Sequence, residues 1–397
     1  MNKSHMIWEI FWRFLWLGCI SFGGPAAHIG YFYRYFVDRL AWISADNYGK
    51  LVALSQFLPG PGSSQVGFAI GLERAGWVGG IAAFVGFTLP SFSLMLTLAY
   101  CSLTPQIPEW LRLVTMGLKL LAVVVVTDAI ITMFRLFCRG HVTRLVALFS
   151  ALPLLFFNTL WAQLGVLLIA AFISGMWPAL WTHTADDTTT IKPYRPIRRF
   201  ALLVFSALFG MSLIVLLLPA NNANASLSLA AQFYQSGSLV FGGGHVVLPL
   251  LQASVGDTLS NNQFMLGYAA AQGVPGPMFS MAAFMGAQLS PSAPVLGAIT
   301  ATFALFLPGL LLVYALHHHW QHWAHHPRIA AVSVALNAAV VGLLFSALAE
   351  PILPHAVRQP SDIVAVLLGL LLLRWRKPPI LLLIVLFIAY AFVVGHI

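Results

Sequence analysis

Long apolar runs separated by short polar loops dominate this sequence, for example at residues 77–101, 145–181 and 200–218. Each run is about 18 residues long or more, which is enough for a helix to cross a hydrocarbon core of ~30 Å. The alternating segments of about ten residues that a membrane β-barrel needs are absent from the sequence. Because backbone groups inside a bilayer must bond to one another, the pattern predicts an all-α polytopic membrane protein.

The chain also repeats itself at a spacing near 218 residues. Three landmarks recur in order: Phe22-Gly23-Gly24 with Phe241-Gly242-Gly243, Gln56-Phe57-Leu58-Pro59-Gly60-Pro61 with Gln272-Gly273-Val274-Pro275-Gly276-Pro277, and Pro90 with Pro308. Each half therefore contains two apolar segments broken by Gly and Pro, then a Pro-containing helix and three further helices. We divide the chain into a first repeat (1–181), a cytoplasmic linker (182–199), a connecting transmembrane helix (200–218) and a second repeat (219–397).

The basic residues predict the orientation. If the broken segments are re-entrant, so that each returns to the side it entered from, 16 of the 20 Lys and Arg residues fall on the cytoplasmic side. The full crossings then lie near 77–103, 110–134, 141–157, 161–181 and 200–218, and their odd number inverts the second repeat. The N-terminus is predicted to be cytoplasmic and the C-terminus, after a helix at 379–395, outside.

Inverted repeats whose broken helices meet near the midplane are typical of secondary transporters, because unwound backbone is tolerated only where it lines a protein cavity. The alternative is that the Gly and Pro residues merely kink helices that cross the membrane fully. That alternative would change the number of spans.

The composition argues against several classes of function. With 59% apolar and only 8% charged residues, the chain does not fit a soluble enzyme. The net charge of +9 is spread between apolar runs, which argues against a nucleic-acid partner. Three scattered cysteines lack disulfide or metal spacing, and no nucleotide-binding or hydrolase motif is present, so we expect no cofactor, no metal and no catalytic residues.

The breaks offer candidate anion sites. A proline directly after a glycine favours the start of a helix, so helices are predicted to begin at Pro25, Pro61 and Pro277. The free N–H groups of each first turn then point into the break with the positive end of the helix dipole. The candidate binding residues are Gly23, Gly24, Pro25, Ala26, Ala27, His28, Gln56, Gly60, Pro61, Gly62, Ser63, Ser64, Gly242, Gly243, Gly244, His245, Gln272, Gly276, Pro277, Met278 and Ser280, and Gln65 adds a further donor.

Ionisable residues within apolar segments are costly and suggest function. Lys119, a further candidate binding residue, shares a helix face with Arg112, and the two could draw an anion from outside. The alternative is a structural pair, or side chains that extend to the interface. Glu9 and Arg13 have the spacing of an intrahelical ion pair.

The histidines allow two interpretations. His28 and His245 lie beside glycine breaks, where they could titrate during transport or simply pack with satisfied hydrogen bonds. The run of histidines between His317 and His326 could bind a transition metal, but a solvated helix end is favoured because no carboxylate or cysteine accompanies it.

These motifs resemble the chromate ion transporter (CHR) family in its long, two-domain form. The resemblance rests on four segments, residues 21–25, 56–62, 241–249 and 274–286, and covers nearly the whole chain. It implies export of chromate across the inner membrane, driven by membrane potential or a proton gradient, and chromate resistance. Sulfate or another oxyanion is the alternative substrate, and a lipid-handling protein or membrane enzyme is less favoured. The expected partners are chromate or a related oxyanion and the lipid bilayer, and a homodimer is left open.

Overall fold

The computed structural model describes residues 3–103, 109–157, 159–181, 199–217, 225–241, 244–256, 258–317, 326–376 and 378–394. Within these ranges the regular structure is entirely helical, which confirms the all-α prediction. Five described helices are long and apolar enough to cross a membrane, and five shorter apolar helices accompany them. The predicted linker, apart from Arg199, and most of the histidine run lie outside the described residues.

The first half begins with two broken segments and continues with longer helices. Its elements are α1 (Lys3–Ile20), α2 (Gly24–Phe32) continued by a π-helix (Tyr33–Arg39), α3 (Ala45–Phe57), α4 (Gly62–Ser102), α5 (Glu109–Phe137), α6 (His141–Phe156), α7 (Leu160–Met176) and a short 3₁₀ turn (Pro178–Leu180). The connecting helix α8 (Arg199–Leu217) follows, close to the predicted range of 200–218.

The second half has the same order of elements. It contains α9 (Ala225–Ser238), a 3₁₀ turn (Gly244–Val246), α10 (Val247–Val255), α11 (Asn261–Gly273), a 3₁₀ turn (Met278–Ser280), α12 (Met281–Leu289), α13 (Pro294–Leu316), α14 (Pro327–Ala347), a π-helical turn (Leu348–Ile352), α15 (Leu353–Ala356), α16 (Pro360–Arg376) and α17 (Ile380–Val394).

The two broken segments of the first half fold back on themselves. In the first, Phe14 of α1 stacks on Phe36 with ring centroids 4.7 Å apart, and Arg13 donates a hydrogen bond of 3.0 Å to the Tyr35 hydroxyl. In the second, the Arg74 guanidinium lies 5.1 Å from the centre of the Trp42 ring, so the two ends of the segment are neighbours. Both segments are hairpins of antiparallel arms.

The second half repeats this arrangement. The hydroxyls of Ser236 and Ser254 lie 3.1 Å apart and join α9 to α10. Gln263 near the start of α11 donates to Gln288 near the end of α12 over 3.1 Å. All four broken segments therefore double back, which favours the re-entrant interpretation over kinked full crossings.

Each second hairpin leads into its Pro-containing helix through a sharp reversal. Within α4, Ala75 and Gly76 leave the helical region, with Gly76 at a φ of +73°, so the chain turns and continues as the long arm that carries Pro90. Gly71 and Gly79 face each other across this turn, where a β-carbon on either would overlap the other's carbonyl. Gly286 and Gly297 make the same contact between α12 and α13.

Long helices of each half pack against helix pairs of the other half. Helix α5 packs against α16 and α17, whereas α14 packs against α6 and α7. Gly117 of α5 faces the Phe387 carbonyl, and Gly342 of α14 faces the Ala147 carbonyl. Small residues allow membrane helices to approach this closely. The two halves are consequently intertwined rather than laid side by side.

Candidate functional site

The four helix breaks meet in one place. The Gly60 N–H donates to the Val240 carbonyl over 2.7 Å, which joins the second break to the third. The Gly276 N–H donates to the Ser21 carbonyl over 2.8 Å, which joins the fourth break to the first. Each half thus gives one backbone donor and one backbone acceptor to the other, at positions that correspond in the two repeats. We call this pair of hydrogen bonds the reciprocal joint.

Glycine is required at both donors of the reciprocal joint. Gly60 and Gly276 have φ values of +123° and +96°, which residues with a side chain rarely adopt. A β-carbon at Gly60 would lie 2.8 Å from the Gly309 Cα, and one at Gly276 would lie 3.1 Å from the Ser91 Oγ. Gly309 and Ser91 directly follow Pro308 and Pro90, so each break packs on the Pro-containing helix of the other half.

Two further contacts complete the meeting point. A β-carbon on Gly244 would lie 3.2 Å from the Pro25 Cγ and 2.8 Å from the Met278 Cε. The third break therefore touches both the first and the fourth. Gly242 and Gly243 of the predicted site lie outside the described residues.

Two of the predicted helix starts are wrong. Pro25 lies in the first turn of α2, as expected, but Pro61 is the N-cap of α4 and Pro277 is the N-cap of a 3₁₀ turn. Neither cap has helical backbone: Pro61 has a ψ of 89°, and Pro277, with a ψ of 129°, is extended. The fixed φ of proline suits extended backbone as well as helix, and the preceding left-handed glycine sets the turn.

The tight turn at the fourth break also removes one predicted backbone donor. The Ser280 N–H already donates to the Pro277 carbonyl over 3.0 Å. The Ser280 hydroxyl, in contrast, remains available to bind a ligand.

Buried hydroxyls without a partner cluster around the breaks. Among the described residues, the Oγ atoms of Ser21, Ser64 and Ser280 are buried and have no hydrogen-bond partner. Ser64 and Ser280 correspond in the two repeats, at the spacing that relates Pro61 to Pro277. A buried hydroxyl without a partner is costly. These positions are therefore suited to a polar ligand that would supply the missing partner.

Both histidines near the breaks are hydrogen-bonded. The ring nitrogens of His28 lie 3.2 Å from the Ser63 Oγ and 3.1 Å from the Ser21 carbonyl, and the ring packs edge-on against Phe87. His245 Nδ1 lies 3.0 Å from the Tyr268 hydroxyl. The geometry favours the packing interpretation for both.

The glutamines divide between structural and open positions. Gln65 is fully buried and donates to the carbonyls of Pro59 (2.8 Å) and Gly309 (3.3 Å), so it fastens the second break to α13. Gln272 donates to the Met278 sulfur over 2.7 Å. Gln56 is exposed at the end of α3.

The other predicted site residues at the first two breaks are partly accessible. At the first break Gly23 is exposed, and Gly24, Pro25 and Ala27 are half-buried. At the second, Gly62 is half-buried and begins α4.

Lys119 lies away from the breaks. Its ammonium donates to Asn262 Oδ1 near the start of α11, whereas the fourth break follows the other end of that helix. Lys119 and Arg112 line one cavity together with Arg358, a residue that the sequence could only assign to an outside loop. The structure therefore brings together the predicted pair but separates it from the predicted backbone donors.

Two ion pairs stabilise other parts of the chain. Glu9 and Arg13 form the predicted pair, with 3.5 Å between the charged atoms. Asp128 pairs with Arg374 of α16 at 3.6 Å. The Asp128–Arg374 pair joins distant parts of the chain, so the spacing of these residues in the sequence could not predict it.

The architecture defines a multi-pass, all-α membrane protein in which two broken hairpins from each half converge. The chain belongs to the chromate transporter family, whose model matches residues 8–177 and 227–393. The two matched stretches begin 219 residues apart, which is the spacing of the repeated glycine motif.

Individual relatives agree with the family assignment. A chromate transport protein of Pseudomonas aeruginosa is 26% identical over 89% of this chain and 83% of its own length. One of Cupriavidus metallidurans is 26% identical over 94% of this chain and 90% of its own. A probable chromate transport protein of Synechococcus elongatus is 25% identical over 86% and 84%. No solved structure matches the chain significantly. The family consists of transport proteins, so this chain is a transporter rather than an enzyme.

Proposed function

We propose that this protein exports chromate across the cytoplasmic membrane and thereby confers chromate resistance. The observation that carries the proposal is the convergence of four helix breaks, two of which carry buried hydroxyls without a partner, at Ser64 and Ser280. Hydroxyl and backbone N–H donors bind an oxyanion without adding a fixed charge, which suits a site that must also release its ligand. The family of the chain and the names of its relatives support chromate as the anion.

Electrostatics favour the outward direction. An inside-negative potential of ~100 mV contributes about 2.3 kcal/mol per elementary charge, and therefore about 4.6 kcal/mol for each expelled dianion. Uptake of the same dianion would need compensating cations. We therefore propose the membrane potential as the energy source, with a proton gradient as the alternative.

In the proposed mechanism the two halves are inverted repeats that alternate access around the breaks. The reciprocal joint is the contact that two repeats related by a two-fold axis would make. We place the N-terminus in the cytoplasm and the C-terminus outside, as the positive charges predict. Chromate would bind between the first turns of α2 and α4 and the 3₁₀ turn that precedes α12, near the membrane midplane.

Everted membrane vesicles test direction and coupling. Vesicles from cells with the protein should accumulate labelled chromate when energised and lose this accumulation with an uncoupler, whereas vesicles without the protein should not accumulate it. Competition with excess sulfate measures selectivity. If chromate fails to move in vesicles that contain the folded protein while labelled sulfate accumulates, sulfate is the substrate.

The binding site has its own test. The double variant Ser64→Ala and Ser280→Ala should raise the KM for chromate by roughly tenfold or more, because hydrogen bonds to charged groups contribute about 1.5–3 kcal/mol each. Its folding should be unimpaired, since each substitution removes a buried partnerless group. Ser174→Ala is the matched control, because Ser174 is a buried serine that bonds only within α7. A wild-type KM in the double variant would exclude these hydroxyls from the site.

A further inference from the structure

A cavity of about 580 Å³ lies between the first turns of α5, the start of α11 and the end of α15 with the segment that follows it. Its walls carry three cationic side chains, Arg112, Lys119 and Arg358. The remaining polar walls are mostly hydroxyl and amide groups, and none of the described residues that line the cavity is acidic. The cavity is therefore positively charged and rich in hydrogen-bond donors.

Within the part of the chain that the structure describes, ion pairs do not neutralise the positive charge of the cavity. In the described chain the salt bridges are Glu9–Arg13, Asp46–Lys50 and Asp128–Arg374, and none involves a cation of the cavity. Lys119 is 5% exposed and donates to Asn262, a neutral partner. Concentrated charge of one sign in a cleft raises the local concentration of counterions.

The acidic residue that follows Arg358 most closely in sequence is engaged elsewhere. Asp362 is fully buried and accepts hydrogen bonds from the backbone N–H groups of Arg358 (2.9 Å) and Gln359 (3.1 Å). Its other oxygen accepts from the Tyr390 hydroxyl over 2.9 Å. Asp362 thus holds the chain beside the cavity in place and does not line it.

The cavity is distinct from the helix breaks. Asn262 and Gln263 line it near the start of α11, and the fourth break follows the end of the same helix at Gly273. A helix of this length spans roughly 18 Å at about 1.5 Å per residue. An anion in the cavity would not touch the reciprocal joint.

We infer that this cavity is a second anion site, which binds a tetrahedral oxyanion dianion with part of its hydration shell. A water molecule takes about 30 Å³ of liquid volume, so the cavity has room for such an ion and several waters. The identity of the anion as chromate rests on the proposed function. In the proposed topology Arg358 is outside, so the cavity receives the anion as it leaves the breaks.

The site also has a direct connection to the fourth hairpin. Lys119 has Asn262 as its partner on α11, and the remaining N–H groups of its ammonium can donate to a bound dianion. A dianion in the cavity would therefore lie beside the start of the hairpin that carries Gly276.

Equilibrium dialysis of labelled chromate against the purified, detergent-solubilised protein tests the inference. The wild-type chain should bind in two separable steps. Arg112→Gln with Arg358→Gln should weaken one step by roughly tenfold or more, whereas Ser64→Ala with Ser280→Ala should weaken the other. Arg139→Gln with Arg328→Gln removes the same charge at exposed positions away from the cavity and should leave both steps intact.

The outcomes separate this inference from the proposed function. If the cavity variant binds like the wild type, the second site is wrong, whatever the vesicles transport. If its binding step is lost while wild-type vesicles fail to move chromate, the site stands and the proposed function fails. Displacement of the bound chromate by phosphatidylglycerol but not by sulfate would identify the cavity as a lipid-headgroup site and overturn the inference.

Discussion

Single glycines determine how close the two halves come at the breaks. Gly60 and Gly276 each combine a positive φ with a neighbouring atom of the other half within about 3 Å of a hypothetical β-carbon. Gly24 also has a positive φ, +76°, but no atom of the described residues lies within 4 Å of its hypothetical β-carbon. A side chain at Gly24 would therefore cause backbone strain alone, whereas one at Gly60 or Gly276 would cause both strain and a steric clash.

Alanine substitutions at these glycines should differ in severity. Gly24→Ala should cost about 1–2 kcal/mol, the strain of a left-handed residue with a side chain. Gly60→Ala and Gly276→Ala should cost more and also abolish transport, because the β-carbon pushes apart the reciprocal joint. Thermal unfolding of the purified protein, with chromate uptake into vesicles, checks both effects. Equal stability of all three variants would contradict the steric part of the argument.

At the residue scale the sequence could select candidate residues but could not place all of them in space. It singled out Pro61, Ser64 and Ser280 because Gly-Pro pairs and buried hydroxyls have local signatures. It could not place Lys119, because the distance between Lys119 and the breaks depends on how α5 packs against α11. The orientation of the Ser280 N–H was likewise invisible, since it depends on a 3₁₀ turn that replaces the first turn of a helix.

At the scale of elements, close glycine contacts hold the helices together. Gly117 on α5 faces backbone of α17, with the Phe387 carbonyl oxygen 2.5 Å from a hypothetical β-carbon. Gly165 on α7, in contrast, has no atom within 4 Å of its hypothetical β-carbon among the residues that the structure describes. Helix contacts in membranes gain from dispersion over such close surfaces.

A leucine at Gly117 should separate α5 from α17. Overpacking of this kind costs typically 1–3 kcal/mol, and here the obstacle is backbone, which yields less readily than a side chain. Gly117→Leu should therefore lower the unfolding temperature in detergent clearly, whereas Gly165→Leu should change it little. Similar unfolding temperatures for the two variants would show that this interface is loose.

The sequence predicted well where the helices lie along the chain, but it did not predict which helices pack against each other. Apolar length placed the crossings within a few residues of α5, α6, α7 and α8, because that signal is local. The sharp reversal near residue 76 was also anticipated by the predicted crossing that begins at 77. Packing of α14 on α6 and α7 has no such signal, because it depends on contacts between residues far apart in the chain.

At the scale of the whole molecule, the two halves depend on each other. Helix α5 relies on α16 and α17 from the second half, and α14 relies on α6 and α7 from the first. The reciprocal joint adds two backbone hydrogen bonds between the halves. Neither half alone can bury the helix surfaces that contact the other half.

Splitting the chain between residues 181 and 199 tests this interdependence. Each half expressed alone should be degraded, whereas the two expressed together should assemble, co-purify and restore chromate transport. Pull-down through a tag on the second half measures assembly. A half that is stable by itself would show that the intertwined packing contributes little to folding.

The reciprocal joint has a consequence for ancestry. Each half carries one donor and one acceptor, so the joint is complementary to itself, like the interface of a two-fold homodimer. A half-length ancestor with this geometry would satisfy both groups only by pairing with a copy inserted in the opposite orientation. Such a chain would need its positive charges balanced between both faces, whereas in the proposed topology a fusion through α8 gives each half one orientation. The cluster of Arg34, Arg39 and Lys50, with no basic counterpart at 252–263, is the charge asymmetry that the proposed topology would permit.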